Sequence, residues 1–252
     1  AGMQAAIVLA ERGFRPILFE RRAYLGGSAV LASKAPCKGL VAEYIETQKN
    51  QLAALGVQVE LNHAPTMAEL RRLDPYGIFV TMGGQQIVPD IPGIDRENVF
   101  GIEDILLGRR AIEGREVAVI GGGHVGLEVA HFLCANNKVT IVEMADEIGA
   151  SVYYITKFKL LPLLREDGVT FRTGQAIAAV DDGSIRLRDT HTGQCTELKA
   201  EAVVLAMGSR PDLAARAAFD RNFDHVVYAG DAVRGGTMLE ANRDAFALAW
   251  EF

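Results

Sequence analysis

Apolar residues follow two alternating rhythms along this chain. Short runs rich in β-branched and aliphatic side chains cover residues 57–61, 76–81, 117–120, 138–142, 169–172, 202–206 and 226–229, as expected of strands buried in a parallel sheet. Residues 15–20 add another such strand, closing on the acid Glu20. Helical spacing holds over 39–55 (Leu40, Val41, Tyr44, Ile45, Leu52, Leu55), where Gly56 ends the pattern, and again over 125–135, 154–166 and 239–250. Thr66 is placed to cap a short helix through Leu73, and Pro162 predicts a kink or a break in the 154–166 helix. Residues 176–199 alternate polar and apolar about Asp182-Gly183 and Thr192-Gly193, predicting an antiparallel meander. Residues 21–38 and 211–221 read as loop and connecting structure, and 89–95, with Pro92-Gly93, as a crossing between domains. Strands alternating with helices in this way predict an α/β fold.

The most informative stretch is 115–143. A strand runs into Gly121, Gly123 and Gly126 in a G-x-G-x-x-G turn, a helix follows with small Ala130 toward the sheet, and a second strand ends on Glu143. The first glycine permits the tight turn, the second lets backbone approach a pyrophosphate, and the third lets helix and strand pack closely. The helix N-terminus offers unpaired N–H groups and partial positive charge, with His124 and Val125 inside the turn, and Glu143 can accept from both hydroxyls of an adenine ribose. Residues 144–147 (Met-Ala-Asp-Glu) bring no Arg or Lys to meet a 2′-phosphate, which predicts NADH over NADPH. The same unit recurs at the start of the chain, where Gly2 matches Gly126, Ala6 matches Ala130 and Glu20 matches Glu143. The earlier copy lacks the opening strand and first two glycines, so the sequence is expected to begin inside a longer polypeptide.

Composition narrows the class without changing the fold. Nearly half the residues are hydrophobic (49%), 23% are charged and Gly numbers 26, as in an α/β protein with many turns. A net charge of −6 argues against nucleic-acid or anionic-membrane partners. No apolar run approaches the roughly 20 residues of a membrane span. Three dispersed cysteines, Cys37, Cys134 and Cys195, fit a reduced, cytoplasmic setting without a disulfide framework.

The arrangement resembles the two-dinucleotide-binding flavoprotein fold. Within it, the chain is similar to the C-terminal half of the NADH:flavin oxidoreductases of the 2,4-dienoyl-CoA reductase and 2-enoate reductase type. The residues that carry the resemblance are Leu25-Gly26-Gly27, the stretch 32–36 (Ala-Ser-Lys-Ala-Pro), residues 121–130, residues 204–211 and Gly230-Asp231. It implies two Rossmann-like domains, each with a parallel sheet, helices and an antiparallel meander. An FAD domain would be split into 1–97 and 214–252, around an NAD domain at 98–213. Gly2, Glu20 and Gly27 would hold the ADP part of FAD, while Gly230 and Asp231 would hold its pyrophosphate and ribityl chain. Gly83 and Gly208 would mark the crossovers, where Met82 and Met207 replace the family's usual threonine. NADH would occupy the 121–143 unit with Gly208, and hydride would pass to FAD without a catalytic acid or base. An upstream barrel carrying FMN and a 4Fe-4S cluster is the implied partner region of the same polypeptide. The readings held beside this one are a free-standing NADH-dependent reductase of ferredoxin or rubredoxin, and a non-catalytic module binding ADP.

Other constellations carry less. His131 and Cys134 lie one helical turn apart, but a structural metal site commonly needs four ligands and no further pair follows. Asp181-Asp182 precedes Gly183 and reads as a hairpin turn rather than an acid–base pair. Cys37 stands where the family often has Gly, and Tyr153-Tyr154 are candidates for the nucleotide cleft or for half-buried core.

Overall fold

The computed structural model describes residues 1–252. The chain divides into two compact units, one of residues 1–33, 39–85 and 209–252, the other of 34–38 and 86–208. The first unit is therefore discontinuous. Residues 86–97 belong with the second unit and 209–213 with the first.

The first unit contains α1 (Gly2–Glu11), β1 (Ile17–Glu20), α2 (Ser28–Ala32), α3 (Gly39–Ala54), β2 (Gln58–Leu61), α4 (Met67–Arg72), β3 (Ile78–Val80) and the start of β4 (Gly84–Gln86). β1 pairs with β2 in parallel, and β3 pairs in parallel with a strand from the last segment described below. The interior forms where α1 buries Ala5, Val8 and Leu9 against Ala229, Ala245 and Ala249. Its other side puts Ala6 and Ile7 against Leu25 and Leu52. Small Ala5, Ala245 and Ala249 permit the close approach on the first of these sides. Of the antiparallel meander expected in each unit, only that of the second forms; the first has two-stranded pairings alone. Thr66 and Glu69 close a reciprocal capping box that starts α4, which takes up the chain between β2 and β3. Within the stretch expected as loop, 21–38, residues 28–32 fold as α2.

The second unit contains β5 (Val99–Gly101), α5 (Ile102–Leu106), β6 (Glu116–Ile120), α6 (His124–Leu133), β7 (Lys138–Val142), α7 (Tyr154–Glu166), β8 (Thr170–Arg172), β9 (Gln175–Val180), β10 (Ser184–Asp189), β11 (Cys195–Lys199) and β12 (Ala202–Leu205). Its parallel sheet has the order β5-β12-β6-β7-β8. The central strand, β6, is flanked on both sides, and Val117, Ala118, Val119 and Ile120 are all buried, which explains the uninterrupted apolar run. The antiparallel meander β9-β10-β11 turns where Gly183 and Gly193 supply positive φ, with a bulge at Arg186/Leu187. Its inner residues Ile177, Val180, Ile185 and Leu187 pack on Ala118, Ile120, Val203 and Leu205. α7 stays one helix through Pro162. Val180 N–H donates to the Pro92 carbonyl at 2.9 Å, so residues 89–95 are part of this unit rather than a linker.

The chain then re-enters the first unit. β13 (Ser209–Pro211) pairs with β4, α8 spans Leu213–Asp220, β14 (Val226–Tyr228) pairs with β3, a single 3₁₀ turn covers Gly230–Ala232, and α9 runs Met238–Glu251. α8 was not legible as a helix in 211–221. Asp212 caps it by accepting from Ala215 N–H at 2.9 Å.

Candidate functional site

In the second unit, the three motif glycines do three different things. Gly121 has φ +112, and a Cβ there would lie 2.4 Å from the Ala206 carbonyl oxygen, so conformation and space both demand glycine. At Gly126 a Cβ would lie 1.8 Å from the Gly121 oxygen, the closest approach of α6 to the end of β6. Gly123 is different. It stands at the N-cap of α6 in ordinary extended conformation (φ −77°, ψ −171°), and a Cβ there would meet nothing nearer than Ser151 Oγ at 4.0 Å. Open space over the first N–H groups of a helix suits a phosphate. The residues present thus fit a dinucleotide's pyrophosphate.

Glu143 stands directly after β7. One carboxylate oxygen accepts from Gly122 N–H at 2.6 Å and the other from Ala145 N–H at 2.8 Å. Gly122 also accepts from Gly149 N–H at 2.9 Å, so the glycine turn and the segment after the acid are tied together. His124 opens α6, with Nδ1 3.6 Å from Glu128, and Val125 is partly exposed beside it. Gly208 lies after β12 and its carbonyl accepts from Ile87 N–H at 3.0 Å.

The first unit repeats this geometry. Glu20 Oε1 accepts from Arg22 N–H at 2.9 Å, as Glu143 does from Ala145, in each case from the residue two positions on. His63 N–H reaches the Glu20 carbonyl as Gln175 N–H reaches that of Glu143, and Asn62 N–H pairs with Arg22 as Gly174 N–H does with Ala145. Asn62 and Gly174 both have left-handed backbone, φ 55 and 62. The duplication read from three residues therefore extends to a loop that sequence comparison did not reach. A Cβ at Gly2 would stand 2.6 Å from Thr81 Oγ1, the packing role of Gly126 restated, whereas Gly27 faces open space. Gly83 follows β3 and is also open. Gly230 has φ +64 and is crowded by Ala241 at 3.3 Å. Burial pushes the half-buried Asp231 carboxyl above its usual range, outweighing the hydrogen bond from Gly236. Such a carboxyl suits a ligand hydroxyl, which can donate to it or accept from it.

One group was missed in the sequence. Glu128 on α6 pairs with Lys38 at 2.7 Å while only 12% of its side chain is exposed. Burial pushes its carboxyl up, but hydrogen bonds and charge from His124 and Lys38 win and hold it below the usual range. The i, i+4 spacing of His124 and Glu128 was a readable signal; the long separation of Lys38 was not. Cys37, beside Lys38, is exposed with φ 62, a conformation easier for glycine. Tyr153 and Tyr154 are exposed rather than core, Tyr154 stacking on Phe158. Asp181 lies at the β9–β10 turn, its N–H on the Ser184 carbonyl.

Comparison with known proteins agrees with this geometry. The family model described as pyridine nucleotide-disulphide oxidoreductase matches residues 1–225. An NADH oxidase of Thermoanaerobacter brockii is 32% identical over the whole chain, which spans 39% of that protein. A cinnamate reductase of Clostridium sporogenes is 29% identical over 99% of the chain, which spans 37% of it. Among solved structures, a 2-naphthoyl-CoA reductase complex superposes with TM-score 0.90 at 26% identity, covering 99% of the chain and 38% of that protein. A Lactococcus lactis thioredoxin reductase shares the fold, with TM-score 0.79 at 19% identity over 99% of the chain and 93% of its own. The chain spans about two fifths of the NADH oxidase, the cinnamate reductase and the 2-naphthoyl-CoA reductase that it matches. With two units built on one plan, the chain belongs to the pyridine nucleotide-disulphide oxidoreductase family.

Proposed function

We propose that the chain is the NADH-oxidising module of a larger reductase. The second unit takes NADH through Gly121, Gly123, His124, Val125, Gly126, Glu143 and Gly208, and the first takes FAD through Gly2, Glu20, Gly27, Gly83, Gly230 and Asp231. The observation that carries the reading is the division of labour among Gly121, Gly123 and Gly126, with Glu143 tied to the same turn. When bound, the coenzymes supply the redox chemistry, a hydride moving from nicotinamide to flavin. The protein's part is placement. The first N–H groups of α6 receive the pyrophosphate, Glu143 the adenosine ribose, and Asp231 a ribityl hydroxyl. Lys38, Glu128 and His124 form a charge group at the start of α6. No side chain is required to move a proton in the hydride step, so none is assigned as acid or base.

An electron-accepting region of the FMN and 4Fe-4S type is what the resemblance implies, and relatives that extend well beyond this chain support a further region on the same polypeptide. They also favour this reading over a free-standing carrier-protein reductase. The test is anaerobic addition of NADH to the FAD-loaded chain. Loss of oxidised-flavin absorbance, faster with NADH than with NADPH, is expected; an unchanged oxidised spectrum at saturating NADH refutes the reading.

A further inference from the structure

The segment that follows Glu143 is held from a second direction by the meander. The β10–β11 turn, residues 190–193, comes back beside the C-terminal end of β8, the edge of a parallel sheet at which ligands bind. Asp189 shapes this turn by accepting from the N–H groups of His191 and Thr192 at 3.0 and 2.7 Å. Thr190 N–H donates to the Gly174 carbonyl at 2.8 Å, and its hydroxyl reaches the same carbonyl at 3.0 Å and the Met144 carbonyl at 3.5 Å. Gly174 N–H in turn donates to Ala145 at 2.9 Å. His191 completes the contact, with Nε2 2.6 Å from Asp146 Oδ1. The Asp146 oxygen lies over Gly174, where a Cβ would come within 3.4 Å of it.

These contacts converge on residues 144–146, whose Ala145 N–H orients the Glu143 carboxylate. We infer that the β10–β11 turn is a clamp on the ribose acid, and that His191, through Asp146, is a positioning residue for NADH selectivity. The inference rests on the proposed placement of NADH in the second unit. A fixed Glu143 aims both carboxylate oxygens, which favours two ribose hydroxyls and disfavours a 2′-phosphate. A released one keeps its charge but loses its aim. Freeing the loop therefore weakens NADH and leaves the already poor binding of NADPH unchanged, narrowing the difference between them. The pair is exposed, with His191 and Asp146 side chains 65% and 74% accessible, so the effect is modest.

The experiment measures NADH and NADPH dissociation constants by fluorescence titration for the wild-type chain, His191→Ala, His191→Gln and Gly123→Val, with urea midpoints for each. His191→Ala is expected to weaken NADH about threefold, the scale of an exposed ion pair, with NADPH binding and the urea midpoint unchanged. His191→Gln, which can keep a donor near the Nε2 position, restores NADH binding. Wild-type NADH binding in His191→Ala, with binding abolished in Gly123→Val, overturns the clamp alone. Wild-type binding in Gly123→Val overturns the NADH placement, and the clamp with it.

Discussion

Replacing Gly126 by alanine separates close packing from ordinary helix propensity. In an unconstrained helix, Gly→Ala stabilises by up to about 1 kcal/mol. Here the new methyl would lie 1.8 Å from the Gly121 oxygen and 2.9 Å from its carbonyl carbon, inside the 3.0 Å limit that real Cβ atoms respect. The obstacle is backbone, so α6 must retreat by more than an ångström. It carries Leu127, Val129, Ala130 and Leu133, all buried, and none can follow without opening the core. Overpacking of this kind costs about 1–3 kcal/mol, and the retreat also withdraws the helix N-terminus from any phosphate. Gly123→Ala is the control, because its methyl enters open space in a backbone conformation any residue adopts. Urea denaturation and NADH titration on both variants give the comparison. Gly126→Ala should lose about 1–3 kcal/mol of stability and NADH affinity together; Gly123→Ala should keep its stability and lose affinity alone. A stabilised Gly126→Ala, or a Gly123→Ala that binds NADH normally, would refute the reasoning.

Glu143→Ala should weaken NADH while affecting NADPH far less, narrowing the gap read by titration of each. Lys38→Ala removes the main partner of Glu128 and should cost about 1 kcal/mol in urea unfolding near neutral pH, discounted for the partial exposure of Lys38. Because folding depresses the Glu128 carboxyl, its contribution is present above the ordinary carboxylate pKa and lost as pH falls through the folded value. The stability gap between wild type and Lys38→Ala should therefore shrink in acid. Burial first, then the hydrogen bond and charge of Asp220, push the Tyr228 hydroxyl up to about 12. A raised pKa stabilises the fold below 10 and is lost as pH climbs toward 12. Tyr228→Phe should remove that alkaline loss, and the phenolate absorbance that appears late in a spectrophotometric titration.

The second unit was legible almost strand by strand, because a parallel sheet buried on both faces leaves continuous apolar runs. The order of Gly121, Gly123, Gly126 and Glu143 was likewise readable, since Gly121 and Gly126 have a local conformational or steric cause and Gly123 and Glu143 stand at the motif's spacing from them. What escaped depended on contacts between distant residues or on brief local signals. The Lys38–Glu128 pair joins positions far apart in sequence, and α8 hangs on one Asp212 cap. The hold of the β10–β11 turn on residues 144–146 arises from the return of the meander, which alternation alone does not locate. In the first unit β1 and β14 were readable although they bury no residue fully, whereas the short α2 and the three-residue strands β4 and β13 carry too few residues to show a period.

The proposed function requires two cradles of one design, each to receive the ADP part that FAD and NADH share. Calorimetric titration of ADP into the chain tests this most directly. Two sites per chain are predicted, one abolished by Gly123→Val and the other weakened by Glu20→Ala. A single site, or binding indifferent to both substitutions, would contradict it.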